Sequence, residues 1–216
     1  MNLVFPRLYA IIDPSLLSIS ELALAEMLAE SGVELIQYRN KTAPTRQFFE
    51  ISLQLSKALE PSGARFIVND RPDIALLTGA GGVHVGQDDL GVEEARAICG
   101  VDRWVGVSTH TLEQVAAADR TSADYIAFGP IFPTATKQNP DAVVGTELLR
   151  RAREMTAKPL VAIGGITLER AAEVYRAGAD SLAVIRDLIC AANPGDRARE
   201  YFAVASSAPP GQVGSG

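Results

Sequence analysis

Cysteine and histidine are scarce in this chain, and each scarcity removes a class of chemistry. The two cysteines, Cys99 and Cys190, lie far apart in sequence. They make neither a disulfide framework nor a thiolate metal site, and both read as buried thiols. The two histidines, His84 and His110, have no partner at zinc-ligand spacing. No Ser/His/Asp or Cys/His arrangement can be read, so nothing points to a protein nucleophile. Long apolar runs are also missing. The stretch Leu8–Ile12 is cut off by Asp13-Pro14, well short of a signal or membrane segment, and a cytoplasmic protein without a membrane partner is expected. Positive charge is not in excess either: 20 basic residues face 26 acidic ones for a net −6, which argues against a nucleic-acid partner.

What is present is an apolar chain cut into regular units. Of the 216 residues, 47% are hydrophobic and 21% charged, a balance that suits one large domain with a real core. Short β-rich runs occur at Leu8–Ile12, Leu35–Tyr38, Arg65–Asn69, Gly82–Val85, Trp104–Ser108, Tyr125–Phe128, Leu160–Ile163 and Ser181–Ile185. Between them apolar residues recur at helical period, as in Phe48, Phe49, Leu53, Leu55 and Leu59. The strands are near-continuous apolar runs, as expected where crossover helices bury both faces of a parallel sheet. A weak repeat of small residues leads into several strands, at Ser31-Gly32-Val33, Gly81-Gly82-Val83, Ser122-Ala123-Asp124 and Ala177-Gly178-Ala179-Asp180. About eight βα units in this length predict a single (β/α)₈ barrel over residues 1–203, with an open doubly wound sheet as the alternative. After Phe202 the periodicity stops, and residues 204–216 are expected to form a disordered tail.

In a parallel barrel the active site forms at the C-terminal ends of the strands. Those ends are polar in turn after turn. The second strand ends in Gln37-Tyr38-Arg39-Asn40-Lys41, the third in Asn69-Asp70-Arg71 and the fourth in Gly86-Gln87-Asp88-Asp89. The fifth ends in Ser108-Thr109-His110, the sixth in a loop bearing Thr134, Ala135, Thr136 and Lys137, the seventh in Gly164-Gly165-Ile166, and the eighth in Ile185-Arg186. Arg39, Lys41 and Lys137 suit a phosphate or diphosphate, Arg as a fork and Lys as a point charge. Asp70 and Asp89, beside those cations, suggest Mg²⁺ bridging protein and diphosphate; each could instead cap the helix that follows. Gly164-Gly165 and the Ile185-Arg186 turn suit a second phosphate, held on backbone N–H groups. His84, between two valines, reads as a hydrogen-bonded core residue, and His110 lies beside the presumed site.

These residues also carry a family pattern. QYRNK (37–41), NDRPDIA (69–75), GVHVGQDDL (82–90), GVSTH (106–110), DYIAFGPIFPTATK (124–137) and VAIGGI (161–166) follow one another in order. From Leu8 to about Ile185 the chain resembles the thiamine-phosphate synthases. The resemblance implies a (β/α)₈ transferase that joins a hydroxymethylpyrimidine diphosphate to a hydroxyethylthiazole phosphate, or its carboxylated form, giving thiamine phosphate and diphosphate. It implies that Gln37, Arg39, Lys41 and Asn69 hold the pyrimidine diphosphate, with Tyr38 and Asn40 inside the same motif. It further implies Mg²⁺ on Asp70 and Asp89, Ser108 against the aminopyrimidine, and Lys137 on the diphosphate from the other side. Thr134, Ala135 and Thr136, with Gly165, Ile185 and Arg186, would hold the thiazole phosphate. Arg39, Lys41, Ser108 and Lys137 would carry the catalytic work. Arg186 stands where the family commonly has Ser, Tyr38 where Leu is common, and Asn40 where an acidic residue is frequent. A thiazole tautomerase of related fold and a non-catalytic binder of phosphorylated ligands are the competing readings.

Overall fold

The computed structural model describes residues 5–134 and 142–207. Its strands are β1 (Leu8–Ile12), β2 (Leu35–Tyr38), β3 (Arg65–Asn69), β4 (Gly82–Val85), β5 (Trp104–Thr109), β6 (Tyr125–Phe128), β7 (Leu160–Ile163) and β8 (Ser181–Val184). The helices are α1 (Glu21–Glu30), α2 (Thr45–Leu59), α3 (Pro72–Leu77), α4 (Val92–Cys99), α5 (Leu112–Asp119), α6 (Gly145–Met155), α7 (Leu168–Arg176), α8 (Arg186–Ile189) and α9 (Pro194–Ser207). The strands pair in parallel in sequence order, and β1 pairs with β8, Leu8 opposite Leu182 and Ala10 opposite Val184, so the sheet closes. The expected barrel is the fold, and the open sheet is excluded. Relative to expectation β5 runs one residue further, and β8 stops at Val184 because Ile185 turns the chain into α8.

Strand side chains alternate between two cores, as the period of two requires. One set, including Leu8, Ala10, Ile12, Ile36 and Tyr38, packs outward against the helices. The other, including Tyr9, Ile11, Leu35, Ile67, Tyr125 and Val161, fills the barrel. Phe5 stacks on Trp104 at 5.1 Å between ring centroids, and the Arg65 guanidinium lies 4.0 Å over Trp104, so the N-terminal end of the barrel is plugged. Gly106 on β5 makes room for the bulk of the layer above: a Cβ there would lie 2.0 Å from the Tyr125 ring. The barrel therefore opens only toward the C-terminal ends of its strands.

The small-residue repeat has a mechanical meaning at two of its positions. Asp124, just before β6, accepts from the Val105 amide of β5 at 2.6 Å and pairs with Arg96 of α4. Asp180, just before β8, accepts from the Leu160 amide of β7 at 2.8 Å and pairs with Arg153 of α6 at 2.6 Å. Each aspartate ties a strand start to its neighbour and to a helix, and each arginine also donates to two or more nearby carbonyls. Among the described residues no helix is long and apolar enough to cross a membrane.

Two expectations are corrected. Cys99 is buried but Cys190 is exposed, because it follows the last turn of α8 at the surface. The tail does not begin at residue 204: α9 continues to Ser207, and residues 208–216 lie outside the described residues. The extra turn holds because Ala205 is buried, Val204 packs on the core, and Arg7 donates to the Ala205 carbonyl at 3.4 Å. We therefore expect a chain ending at Phe202 to melt lower than one ending at Ser207 by about 3–6 °C, the effect of losing one to two kcal/mol in a protein of this size. Equal melting temperatures for the two truncations would show that this turn adds nothing.

Candidate active site

A cavity of about 760 Å³ occupies the open end of the barrel. It collects residues from every strand end, among them Gln37, Arg39, Lys41, Asn69, Asp70, Asp89, Ser108, Thr134, Gly165, Ile185 and Arg186. Ala135, Thr136 and Lys137 lie outside the described residues.

Strand parity explains which members of the second-strand motif face the cavity. Gln37 and Arg39 share the inward parity of Leu35. Tyr38 and Asn40 have the opposite one, and neither lines the cavity. Tyr38 is fully buried and stacks on Phe48 of α2 at 5.1 Å between centroids. Asn40 donates to the Tyr38 hydroxyl at 3.2 Å, and its Oδ1 accepts from the amides of Thr42 and Ala43 at 3.1 and 3.0 Å. These side chains shape the turn that carries Lys41 and are corrected from contact residues to supports.

The cations at the rim are paired. Arg39 Nη1 donates to Asp13 Oδ2 at 2.6 Å, and the other Asp13 oxygen accepts from the Ser15 amide and hydroxyl at 3.1 and 2.6 Å. Lys41 pairs with Asp70. Asp70 has φ of +62°, the left-handed region that Asp and Asn enter more readily than other side chains, and its amide donates to the His84 carbonyl at 2.8 Å. Neither Asp70 nor Asp89 caps a helix: the N-caps of α3 and α4 are Arg71 and Gly91. Asp89 instead accepts from the Gly86 amide at 2.8 Å, which closes the turn after β4 and turns its carboxylate toward Asp70. Burial raises the pKa of Asp70; the Lys41 hydrogen bond opposes that, and Asp89 adds to it.

Below the rim the cavity floor is polar but uncharged. His84 is buried, with Nδ1 3.1 Å from the Tyr125 hydroxyl and Nε2 2.8 Å from Ser108 Oγ. Desolvation lowers its pKa to about 4. The Tyr125 and Tyr9 hydroxyls are 2.9 Å apart, and Gln37 Nε2 donates to Tyr9 at 2.6 Å. Burial raises the pKa of both tyrosines. His110 Nδ1 donates to the Gly129 carbonyl at 2.6 Å, and the His110 amide donates to Gln114 at 2.6 Å.

Across the cavity, Gly164 and Gly165 have φ of +96° and +62° and lie against the loop after β6. A Cβ on Gly164 would meet Pro130 at 2.5 Å, and one on Gly165 would meet the Pro133 carbonyl at 2.5 Å, so both positions demand glycine. The pair locks the loop bearing Thr134 onto the end of β7. Arg170 donates to the Gly165 carbonyl at 3.0 Å and stacks over Phe132, and like Arg186 it lines the cavity. Sequence reasoning missed Asp13, Arg170, Tyr9 and Tyr125. Asp13 ends β1, the one strand end left unread for chemistry, and inward parity would have flagged both tyrosines.

Paired cations, facing carboxylates and glycine turns at the strand ends define a phosphate-handling enzyme of the (β/α)₈ class. Comparison with known proteins gives the particular family. The family model described as thiamine monophosphate synthase matches residues 8–188. A thiamine-phosphate synthase of Koribacter versatilis is 47% identical over 213 residues, covering 95% of this chain and 99% of that protein. One from Chloroflexus aurantiacus is 43% identical, with 93% of each chain covered. A solved structure, the thiamine phosphate pyrophosphorylase of Pyrococcus furiosus, superposes with a TM-score of 0.84 at 34% identity over 93% of this chain and 96% of that one. The chain belongs to the thiamine monophosphate synthase family.

The electrostatics of Asp70 give a stability prediction. A carboxyl whose pKa is raised on folding holds its proton more tightly in the native state, so stability falls as pH rises from the unfolded value through the folded one. The full cost is present above the folded value. Asn removes that charge and tolerates the positive φ, so Asp70→Asn should raise the melting temperature in EDTA by about 2–4 °C, the equivalent of ~1 kcal/mol here. A lower melting temperature would mean that the pair with Lys41 outweighs burial.

Proposed function

We propose that this chain joins 4-amino-5-hydroxymethyl-2-methylpyrimidine diphosphate to 4-methyl-5-(2-phosphooxyethyl)thiazole, as a thiamine-phosphate synthase. The observation that carries the reading is the meeting of Arg39, Lys41, Asn69, Asp70 and Asp89 at one rim of a cavity whose far side holds Gly165 and Arg186. A thiazole phosphate alone requires only the second side. The first is an unused expense for a tautomerase, which has no diphosphate to hold.

Asp70 and Asp89 fit a divalent cation. Their carboxylates face each other closely enough for Asp89 to raise the pKa of Asp70, against the opposing pull of Lys41. They would hold Mg²⁺, which when bound neutralises diphosphate charge and holds its oxygens in place. Arg39 and Lys41 add fixed positive charge on the same side. In the reaction, the bond between the pyrimidine methylene and the diphosphate oxygen breaks, and its electron pair leaves with diphosphate. The thiazole nitrogen then donates its lone pair to the methylene carbon, forming the new C–N bond. Negative charge grows on the leaving group, so cations at the rim stabilise the transition state more than the ground state. The cavity holds both rings in line, and no protein nucleophile is required. Arg186 and Arg170, both lining the cavity, would support binding of the thiazole phosphate.

Lys41→Ala is accordingly expected to lower kcat for coupling, with thiazole phosphate affinity measured alone by calorimetry unchanged. A variant with normal kcat would remove Lys41 from the chemistry. Asp89→Asn should reduce kcat/KM by about 10²-fold or more and blunt the response to Mg²⁺. If the unaltered protein released no diphosphate from the paired substrates, the coupling reading would fail.

A further inference from the structure

Five side chains form one continuous hydrogen-bonded line across the cavity floor: Gln37, Tyr9, Tyr125, His84 and Ser108. We propose that this line runs in one sense only, from the Gln37 amide to the Ser108 hydroxyl, placing the His84 proton on Nε2 and making Ser108 a donor into the cavity. Tyr9, Tyr125 and His84 are then positioning residues for whatever ring Ser108 touches. The inference rests on the proposed function only for naming that ring as the pyrimidine.

The sense follows from what each group can do. A carboxamide nitrogen donates and does not accept, so Gln37 Nε2 gives its hydrogen to the Tyr9 oxygen. The buried Tyr9 hydroxyl has no other acceptor among the described residues, so its own proton goes to the Tyr125 oxygen, 2.9 Å away. The Tyr125 proton has one remaining acceptor, His84 Nδ1 at 3.1 Å. That nitrogen is therefore unprotonated, and the ring proton sits on Nε2, aimed at Ser108 Oγ 2.8 Å away. With its oxygen already accepting, Ser108 turns its hydrogen toward the cavity. At the other end Gln37 keeps Oε1, without a protein partner among the described residues, to accept from a ligand donor. A ligand meeting this floor needs an acceptor over Ser108, as a ring nitrogen supplies, and a donor over Gln37.

Packing fixes the line in place. All three inner members are fully or nearly fully buried, and the His84 and Tyr125 rings stack at 5.5 Å between centroids. Tyr125 reaches its two partners only because Gly106 leaves its ring the space. The Ser108 backbone is held as well, its carbonyl accepting from Gln87 Nε2 at 2.6 Å.

The test reads the tautomer directly. With two histidines in the chain, ¹⁵N-histidine labelling and long-range ¹H–¹⁵N correlation resolve both rings, and a His110→Gln variant assigns them. The wild type should show His84 protonated on Nε2. Protonation on Nδ1, or on both nitrogens, overturns the proposed sense. Tyr125→Phe removes the donor that fixes Nδ1. It should give mixed tautomers and raise the Kd for the pyrimidine diphosphate about tenfold, a typical cost of one well-made hydrogen bond, with thiazole phosphate binding unchanged. An unaltered tautomer and unaltered pyrimidine affinity in a folded Tyr125→Phe variant would refute the positioning role. Should that variant fail to fold, the wild-type tautomer still decides. Loss of coupling activity in the wild type would count against the proposed function, whereas the tautomer is read without turnover.

Discussion

Closure of the sheet by β1 against β8 is the constraint on which everything else depends. A closed parallel barrel gives every strand the same two environments, an axis and a ring of helices, and assigns alternate residues to each. Once Leu8 pairs with Leu182, the parity of every other strand position follows from its register. Gln37, Asn69, His84 and Ser108 then point to one axis although they come from four different strands. The same parity sends Tyr38 to α2. The site is a consequence of closure and not an addition to it.

Closure also explains the split between a charged rim and a neutral floor. Charges at the rim are paired, Arg39 with the buried Asp13 and the half-exposed Lys41 with Asp70. Deeper in the barrel an unpaired charge is too costly to hold, and the chain uses phenol, imidazole, amide and hydroxyl groups instead. Along the line from Gln37 to Ser108 each of these bonds to the next, and among the described residues the only buried side-chain polar atoms without partners belong to Ser52, Arg103, Arg153 and Ser181, none of them on the floor. A satisfied network of neutral dipoles resists rearrangement, because breaking any link leaves a buried group unpaired.

Much of this was legible in the residues themselves. Continuous apolar runs gave the strands to within a residue, because strands buried on both faces tolerate little else. Polar clusters at the strand ends gave the cavity lining, because nothing in a barrel's packing asks for Arg39, Lys41, Asp70 and Asp89 at one end. Three things were harder to read. Tyr38 and Asn40 were grouped with their neighbours by motif, although alternation separates them. Asp13 looked like a chain break, and only folding brings its carboxylate to Arg39. The end of α9 was hidden because Ala, Ser and Val carry a weak periodic signal, while its support comes from Arg7, distant in sequence.

The paired rim also bears on how an acidic chain holds an anionic substrate. With net charge −6, the protein's overall field does not attract phosphate. Attraction must be local, and its strength depends on how readily the rim cations leave their carboxylate partners. Arg39 has several donors and can keep Asp13 while turning others to a ligand. Lys41 is a single point charge, and a diphosphate must compete with Asp70 for it. Under the proposed function, a cation held by Asp70 and Asp89 would remove that competition, because the carboxylates would then have another partner and Lys41 would be free to turn to the diphosphate. On that proposal metal and diphosphate would strengthen each other's binding through Lys41, with the left-handed backbone at Asp70 holding the carboxylate where the exchange would occur.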